Sequence, residues 1–124
     1  MHQGYAVINL NLAMLAPWVY PHLAVLDGFQ AMEGPGPVYG DPIDWRVALA
    51  GVDALAVDSL EAHLMGFDPA QVGYLAYCTR LGLGIGNLSN VMVVGGVTPE
   101  SVRRVFRPHP TYRKQRAWQV QATG

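Results

Sequence analysis

The chain has 124 residues, of which 51% are hydrophobic and only 14% charged, with a formal net charge of −1. That length makes one domain able to bury roughly two-thirds of its unfolded surface, and the composition excludes intrinsic disorder. Charge this sparse, against about 25% in an ordinary soluble domain, fits either a surface partly covered by a partner chain or by further sequence, or a well-buried domain with a bland surface.

Residues 5–16 are an apolar run broken only by Asn9 and Asn11. Its length predicts a helix closed by Pro17, although the alternation Ile8-Asn9-Leu10-Asn11-Leu12 also suits a strand. The run is too short to span a bilayer and lacks the basic leader of a signal peptide. Neither export nor membrane insertion is expected, and the expected location is cytoplasmic. Leu23-Ala24-Val25-Leu26 reads as a buried central strand stopped by Asp27-Gly28. From Asp27 to Pro42 runs a Gly- and Pro-rich stretch with the composition of a site-forming loop, because Gly permits positive φ and Pro fixes its own.

Residues 43–50 form a second extended segment, and Gly51-Val52-Asp53 introduces a helix that runs to about Met65 and is apolar on most sides. Asp68-Pro69-Ala70-Gln71 reads as a helix start with an Asp N-cap, Pro at the first position and Gln closing a capping box; Gly82 ends that helix. Residues 90–94 read as a third strand, and Thr98-Pro99-Glu100 caps a last short helix. Strands alternating with helices predict an α/β fold with a small, largely parallel sheet flanked by helices, part of a larger or oligomeric fold. Residues 1–106 are read as the single domain and 107–124 as a basic, loosely held tail. Charge divides in a similar way: residues 1–97 hold eight acids against Arg46 and Arg80, a net of −6, whereas residues 98–124 hold six bases against Glu100, a net of +5.

The carboxylates are the strongest candidates for chemistry. Asp27 would stand at the carboxyl end of a parallel strand, where open α/β sheets place ligands, with Glu33 and Asp41 in the loop beyond. Asp53 opens the next helix. Asp58 is the anomaly, a carboxylate on a nearly all-apolar helix that must be paired, hydrogen-bonded or protonated, and Glu61 three residues on can face the same space. Carboxylates with backbone carbonyls suit Mg²⁺, Mn²⁺ or Ca²⁺, so a divalent cation is the candidate cofactor. The same side chains also read as Asx-turns, a helix cap and staples of the loop, and both readings stand at this point.

Gly82-Leu83-Gly84-Ile85-Gly86 leaves a helix rather than entering one, so it is a cap and turn and not a phosphate loop. His22, His63 and His109 have no ligand spacing. The single Cys78 excludes an internal disulfide and any cysteine-built cluster on this chain alone. The basic, aromatic tail is read as solvating the terminus or folding back on the acidic body, and nucleic acid is not the expected partner.

Several segments together resemble a known family. Ile8-Asn9-Leu10, Leu26-Asp27-Gly28, Met32-Glu33-Gly34-Pro35-Gly36-Pro37, Gly40-Asp41-Pro42, Ala50-Gly51-Val52-Asp53-Ala54-Leu55-Ala56-Val57-Asp58 and Leu64-Met65-Gly66-Phe67-Asp68-Pro69 follow the order and spacing of the C-terminal half of the domain of unknown function 362 family. The resemblance runs from about Ile8 to Gly95. It implies an α/β domain of prokaryotic type, often found with ferredoxin-like modules carrying 4Fe-4S clusters. This chain lacks the family's N-terminal half and its cysteine runs, so a 4Fe-4S cluster would belong to another chain or a missing domain. The positions carried over are Asn9, Asp27, Glu33, Asp53 and Asp58. The expected ligand-binding set is Asn9, Asp27, Gly28, Glu33, Gly34, Gly36 and Asp53, and the expected metal set is Asp27, Glu33 and Asp58.

The expected function is a partner-dependent component of an iron–sulfur-associated redox protein with an acidic ligand pocket. A divalent-cation-dependent enzyme and a purely structural or oligomeric module are the alternatives. The expected partners are a second copy of the chain or an iron–sulfur protein, with no membrane. No catalytic residue is named, and whether the chain is an enzyme stays open.

Overall fold

In the structure, a computed structural model that describes residues 4–123, helix α1 (Tyr5–Val19) is followed by two strands, β1 (Ala24–Glu33) and β2 (Asp41–Gly51), and by helix α2 (Ala54–Leu64). Helix α3 (Gly73–Arg80) and two single-turn helices, α4 (Pro99–Val102) and α5 (Tyr112–Gln115), complete the α-helices among the described residues, with 3₁₀ turns over Pro69–Gln71 and Leu88–Asn90 and a 3₁₀ stretch over Arg116–Thr123. Pro17 lies inside α1 instead of ending it, and the turn beyond it closes through Tyr20 N–H donating to Ala16 O at 2.9 Å.

The sheet corrects the expectation of a largely parallel α/β layer. Among the described residues it is a single antiparallel hairpin, β1 against β2, in register from Ala24 opposite Gly51 to Glu33 opposite Asp41. Two features account for the difference. The Gly- and Pro-rich stretch is mostly strand, and only residues 34–40 turn, so the two strands meet directly without a crossover helix. Of residues 90–94, read as a third strand, Asn90 ends a 3₁₀ turn and the rest are irregular; they line a depression with Leu49 and Gly51 of β2 without joining its ladder, and Met92 and Val94 stand in solvent.

A bulge lies midway along the hairpin, where Gly28 pairs with Val47 and Gln30 with Asp44, so Trp45 and Arg46 oppose Phe29 alone. Arg46 takes φ 58°, a left-handed conformation, and its guanidinium holds Asp44 at 2.9 Å while lying 5.7 Å over the Phe29 ring. Such a bulge re-aims the strand and increases its twist. Asp27 therefore sits in mid-strand, opposite Ala48, and not at a strand's carboxyl end.

Helix α2 lies between the hairpin and the remaining helices. Val57, Leu60 and Leu64 are buried, as are Ile43 and Val47 on the hairpin's inner face, with Phe106 set edge-on against Trp45 at 4.9 Å. On the other flank Leu55 joins Ala13, Ala16, Leu75 and Cys78 in a second cluster, where the small alanines let α1 and α3 approach closely. The helix expected from Asp68 is broken at Val72, which is extended, into a 3₁₀ turn over Pro69–Gln71 and α3 proper. Beyond Arg107, Trp118 is buried, its indole N–H donating to Gln71 O at 2.9 Å and its ring edge-on to Tyr77 at 5.2 Å.

Candidate functional site

The structure spreads the sequence-marked residues over three places. At the first, Asp53 is the N-cap of α2: one carboxylate oxygen accepts Ala56 N–H at 3.0 Å and the other accepts Ile85 N–H at 2.8 Å. It thereby ties the glycine turn after α3 to the start of α2. Asn9 does similar work for α3, its Oδ1 accepting Tyr74 N–H at 2.8 Å across 65 positions, while its Nδ2 donates to Tyr5 O at 2.6 Å. Gly73 makes this possible, since a Cβ there would stand 2.5 Å from Asn9 Cγ.

The second place is the hairpin. Asp27 accepts Phe29 N–H at 3.1 Å in a local Asx-turn at the bulge, and Gly28 is covered by the Trp45 ring. Glu33 and Asp41 face each other at the end of the ladder, and Arg107 closes over both. Its backbone N–H donates to Glu33 Oε2 at 2.8 Å, its guanidinium donates to Asp41, and its carbonyl accepts Gly34 N–H at 2.8 Å. Gly34 holds φ +81°, a left-handed turn position suited to glycine, and Gly36 donates back to Gly34 O at 2.9 Å.

The third place is the flank of α2 that faces α3 and the end of α1. Asp58 and Glu61, one helical turn apart, are half-buried and accept no hydrogen bond from a described residue. Burial pushes both carboxyls above their ordinary range, and the Asp58 charge adds to the effect at Glu61. Facing them, the Tyr74 phenol is pushed up to about 12, by burial first and then by the Asp58 and Glu61 charges. The Tyr20 hydroxyl, also raised by burial, is enclosed beside the Cys78 thiol without a well-formed hydrogen bond. Carboxyls so placed retain protons more strongly than exposed ones do, and a protonated carboxyl can donate a hydrogen bond as well as accept one.

Sequence reasoning picked out Asp58 and Glu61 but missed Tyr20, Tyr74 and Cys78 around them. The available signal was physical: two carboxylates on an apolar helix need polar tips on the facing elements, and Tyr74 and Cys78 lie four apart on α3. Asp27, Glu33 and Asp58 do not converge. Among the described residues no group of three or more His, Cys, Asp or Glu is placed to hold a metal ion. A depression of about 560 Å³, lined by His63, Asp68, Thr79, Arg80 and Asn87, holds none of the expected ligand residues.

The model of the family described as a domain of unknown function (DUF362) matches residues 1–63, which include α1, the hairpin and nearly all of α2. Over 72 residues the chain is 38% identical to the thylakoid-associated protein sll1697 of Synechocystis, a stretch that covers 58% of this chain. It spans only 22% of that relative's length. No solved structure matches the chain. With half of its length matched, including the carried-over positions Asn9, Asp27, Glu33, Asp53 and Asp58, this chain belongs to the DUF362 family.

Proposed function

We propose that the chain is a partner-completed component of an iron–sulfur-associated redox protein, in which the hairpin is the surface that the partner covers. The observation that carries this reading is the hairpin's outer face. An antiparallel sheet with one side in water ordinarily alternates apolar residues inward with polar ones outward. Here Val25 is 69% exposed and Phe29 63%, and Met32, Pro42, Ala48 and Ala50 share the outer side with them, interleaved with Asp27, Gln30, Asp44 and Arg46. The outer edge of β1 also presents unpaired N–H and C=O groups, which form a template for a further strand.

The redox assignment rests on the family resemblance, and the cluster would sit on the partner, because this chain's one cysteine is buried in a helix core. Within such an assembly the Asp58–Glu61 flank is the proposed acidic pocket, with Tyr74 at its wall. The test is anaerobic co-expression with a cysteine-bearing member of the family, followed by size-exclusion chromatography read at protein and visible cluster absorption. A complex that carries the cluster spectrum and is lost in a Val25→Asp, Phe29→Asp double variant supports the reading. Absence of a complex, or one that is indifferent to both substitutions, refutes it.

A further inference from the structure

The depression of about 560 Å³ shares no lining residue with the hairpin or with the Asp58–Glu61 flank. Its volume falls in the ordinary range of small-molecule sites, roughly 300–1,000 Å³. One wall is the end of α2 and the turn after it, with His63 and Asp68; the other is the end of α3 and the 3₁₀ turn beyond, with Arg80 and Asn87. Gly86 brings the second wall together. Its backbone lies so close to Thr79 that a Cβ would overlap the Thr79 hydroxyl, which folds the 86–88 turn back onto the end of α3.

Asp68 and Arg80 line this depression with opposite charges, yet neither forms an ion pair among the described residues. Each wall also carries a neutral group of matching kind. Asn87 Oδ1 accepts the Ser89 N–H at 3.1 Å and the Ser89 hydroxyl at 2.8 Å, which leaves its Nδ2 donor without a partner among the described residues. Across from it, one Asp68 oxygen accepts Ala70 N–H at 3.0 Å and the other is left over. His63 Nε2 lies 2.6 Å from Glu100 Oε1, and because a carboxylate accepts, the neutral ring donates there and keeps Nδ1 as an acceptor. The α3 wall thus offers a cation and a donor, and the α2 wall an anion and an acceptor.

A simple anion would answer Arg80 and meet the like charge of Asp68, and a simple amine would do the reverse. A ligand with both charges answers both walls. We propose that this depression binds a free amino acid, its carboxylate taken by Arg80 and Asn87 and its ammonium by Asp68 and His63. Guanidinium and carboxylate suit each other because two parallel N–H···O bonds fix the orientation as well as the charge. Pro69, Ala76 and Leu88 supply apolar lining for the ligand's side chain. The inference is independent of the redox reading.

The experiment is a chemical-shift titration of the isotope-labelled full chain, with calorimetry for affinity. The probes are alanine, leucine and glutamine, each beside its deaminated acid and its decarboxylated amine. At least one amino acid should shift the backbone amides of Ala70, Arg80, Asn87 and Leu88, and should bind about tenfold or more tightly than either of its singly charged analogues. Arg80→Gln and Asp68→Asn change exposed positions, and the asparagine keeps an acceptor for Ala70 N–H. With melts like the parent's, each should weaken binding by about tenfold or more. No shift with any of the three amino acids, or shifts confined to other residues, overturns the proposal. So does an analogue that binds as well as its amino acid, which would give the depression to a simple ion, or an affinity that either variant retains.

Discussion

Asp53 holds Ile85 across 32 positions of sequence: the carboxylate that caps α2 through Ala56 N–H also accepts Ile85 N–H at 2.8 Å. One side chain thus starts a helix and anchors the turn that leaves another. Asp53→Ala should lose the cap, about 1 kcal/mol with a range of roughly 0.5–2, and free the 82–86 turn as well. Denaturant unfolding should show the loss, and amide exchange at Ile85 should rise by more than the global change explains. Asp53→Asn keeps one acceptor oxygen, so it should recover the cap on Ala56 N–H but not the hold on Ile85, leaving amide exchange at Ile85 fast.

Gly73→Ala is expected to disturb the α1–α3 contact, because the added methyl would meet Asn9 Cγ at 2.5 Å and displace the side chain that caps Tyr74 N–H. Overpacking of this kind typically costs about 1–3 kcal/mol. A thermal melt measures it. A variant as stable as the parent would mean that α1 and α3 are not held at this distance.

The Asp58 and Glu61 carboxyls make a pH prediction. Burial raises both above their unfolded values, so the stability they contribute is fully present below about pH 4 and is lost as pH rises through the higher folded values. Asp58→Asn removes one such loss. Its melting temperature should exceed the parent's at about pH 8, and the difference should shrink as pH falls toward the unfolded carboxylate range of about 4. Melts across that range decide the matter, and a variant that is less stable than the parent at the upper end contradicts the assignment.

Trp118→Ala should be among the most destabilising changes in the chain, at about 3–5 kcal/mol, because a fully buried indole leaves a cavity beside Tyr77. Trp118→Phe keeps much of the packing and removes the bond to Gln71 O, so its cost should be nearer 1 kcal/mol. The comparison of the two by chemical denaturation separates packing from hydrogen bonding.

Local signals were the legible ones. The Asp53 N-cap and the glycine turn after α3 each depend on neighbours within a few residues and lie where their motifs point, whereas the helix read from Asp68-Pro69 is a 3₁₀ turn that Val72 separates from α3. Strand direction was not legible, because a Gly- and Pro-rich stretch is compatible with a loop before a crossover or with the tip of a hairpin, and only the pairing partner distinguishes them. The apolar residues 90–94 have strand composition but no free ladder taken up beside them, so propensity was overridden by context. At the candidate site the carboxylates stood out because they break an apolar pattern. Tyr20, Tyr74 and Arg107 did not, since their partners lie on other elements and no spacing rule connects them.

The packing of α1 against the Arg116–Thr123 stretch joins the first described helix to the last described segment. Translation proceeds from one to the other at about 5–20 residues per second, so α1 leaves the ribosome long before its cover exists. For those seconds α1 has α3 as a native neighbour but not the Arg116–Thr123 stretch, and contacts of such large sequence separation are also slow to form afterwards. Until Trp118 emerges, the side of α1 that this stretch covers is exposed apolar surface of the kind that makes a folding chain prone to aggregate.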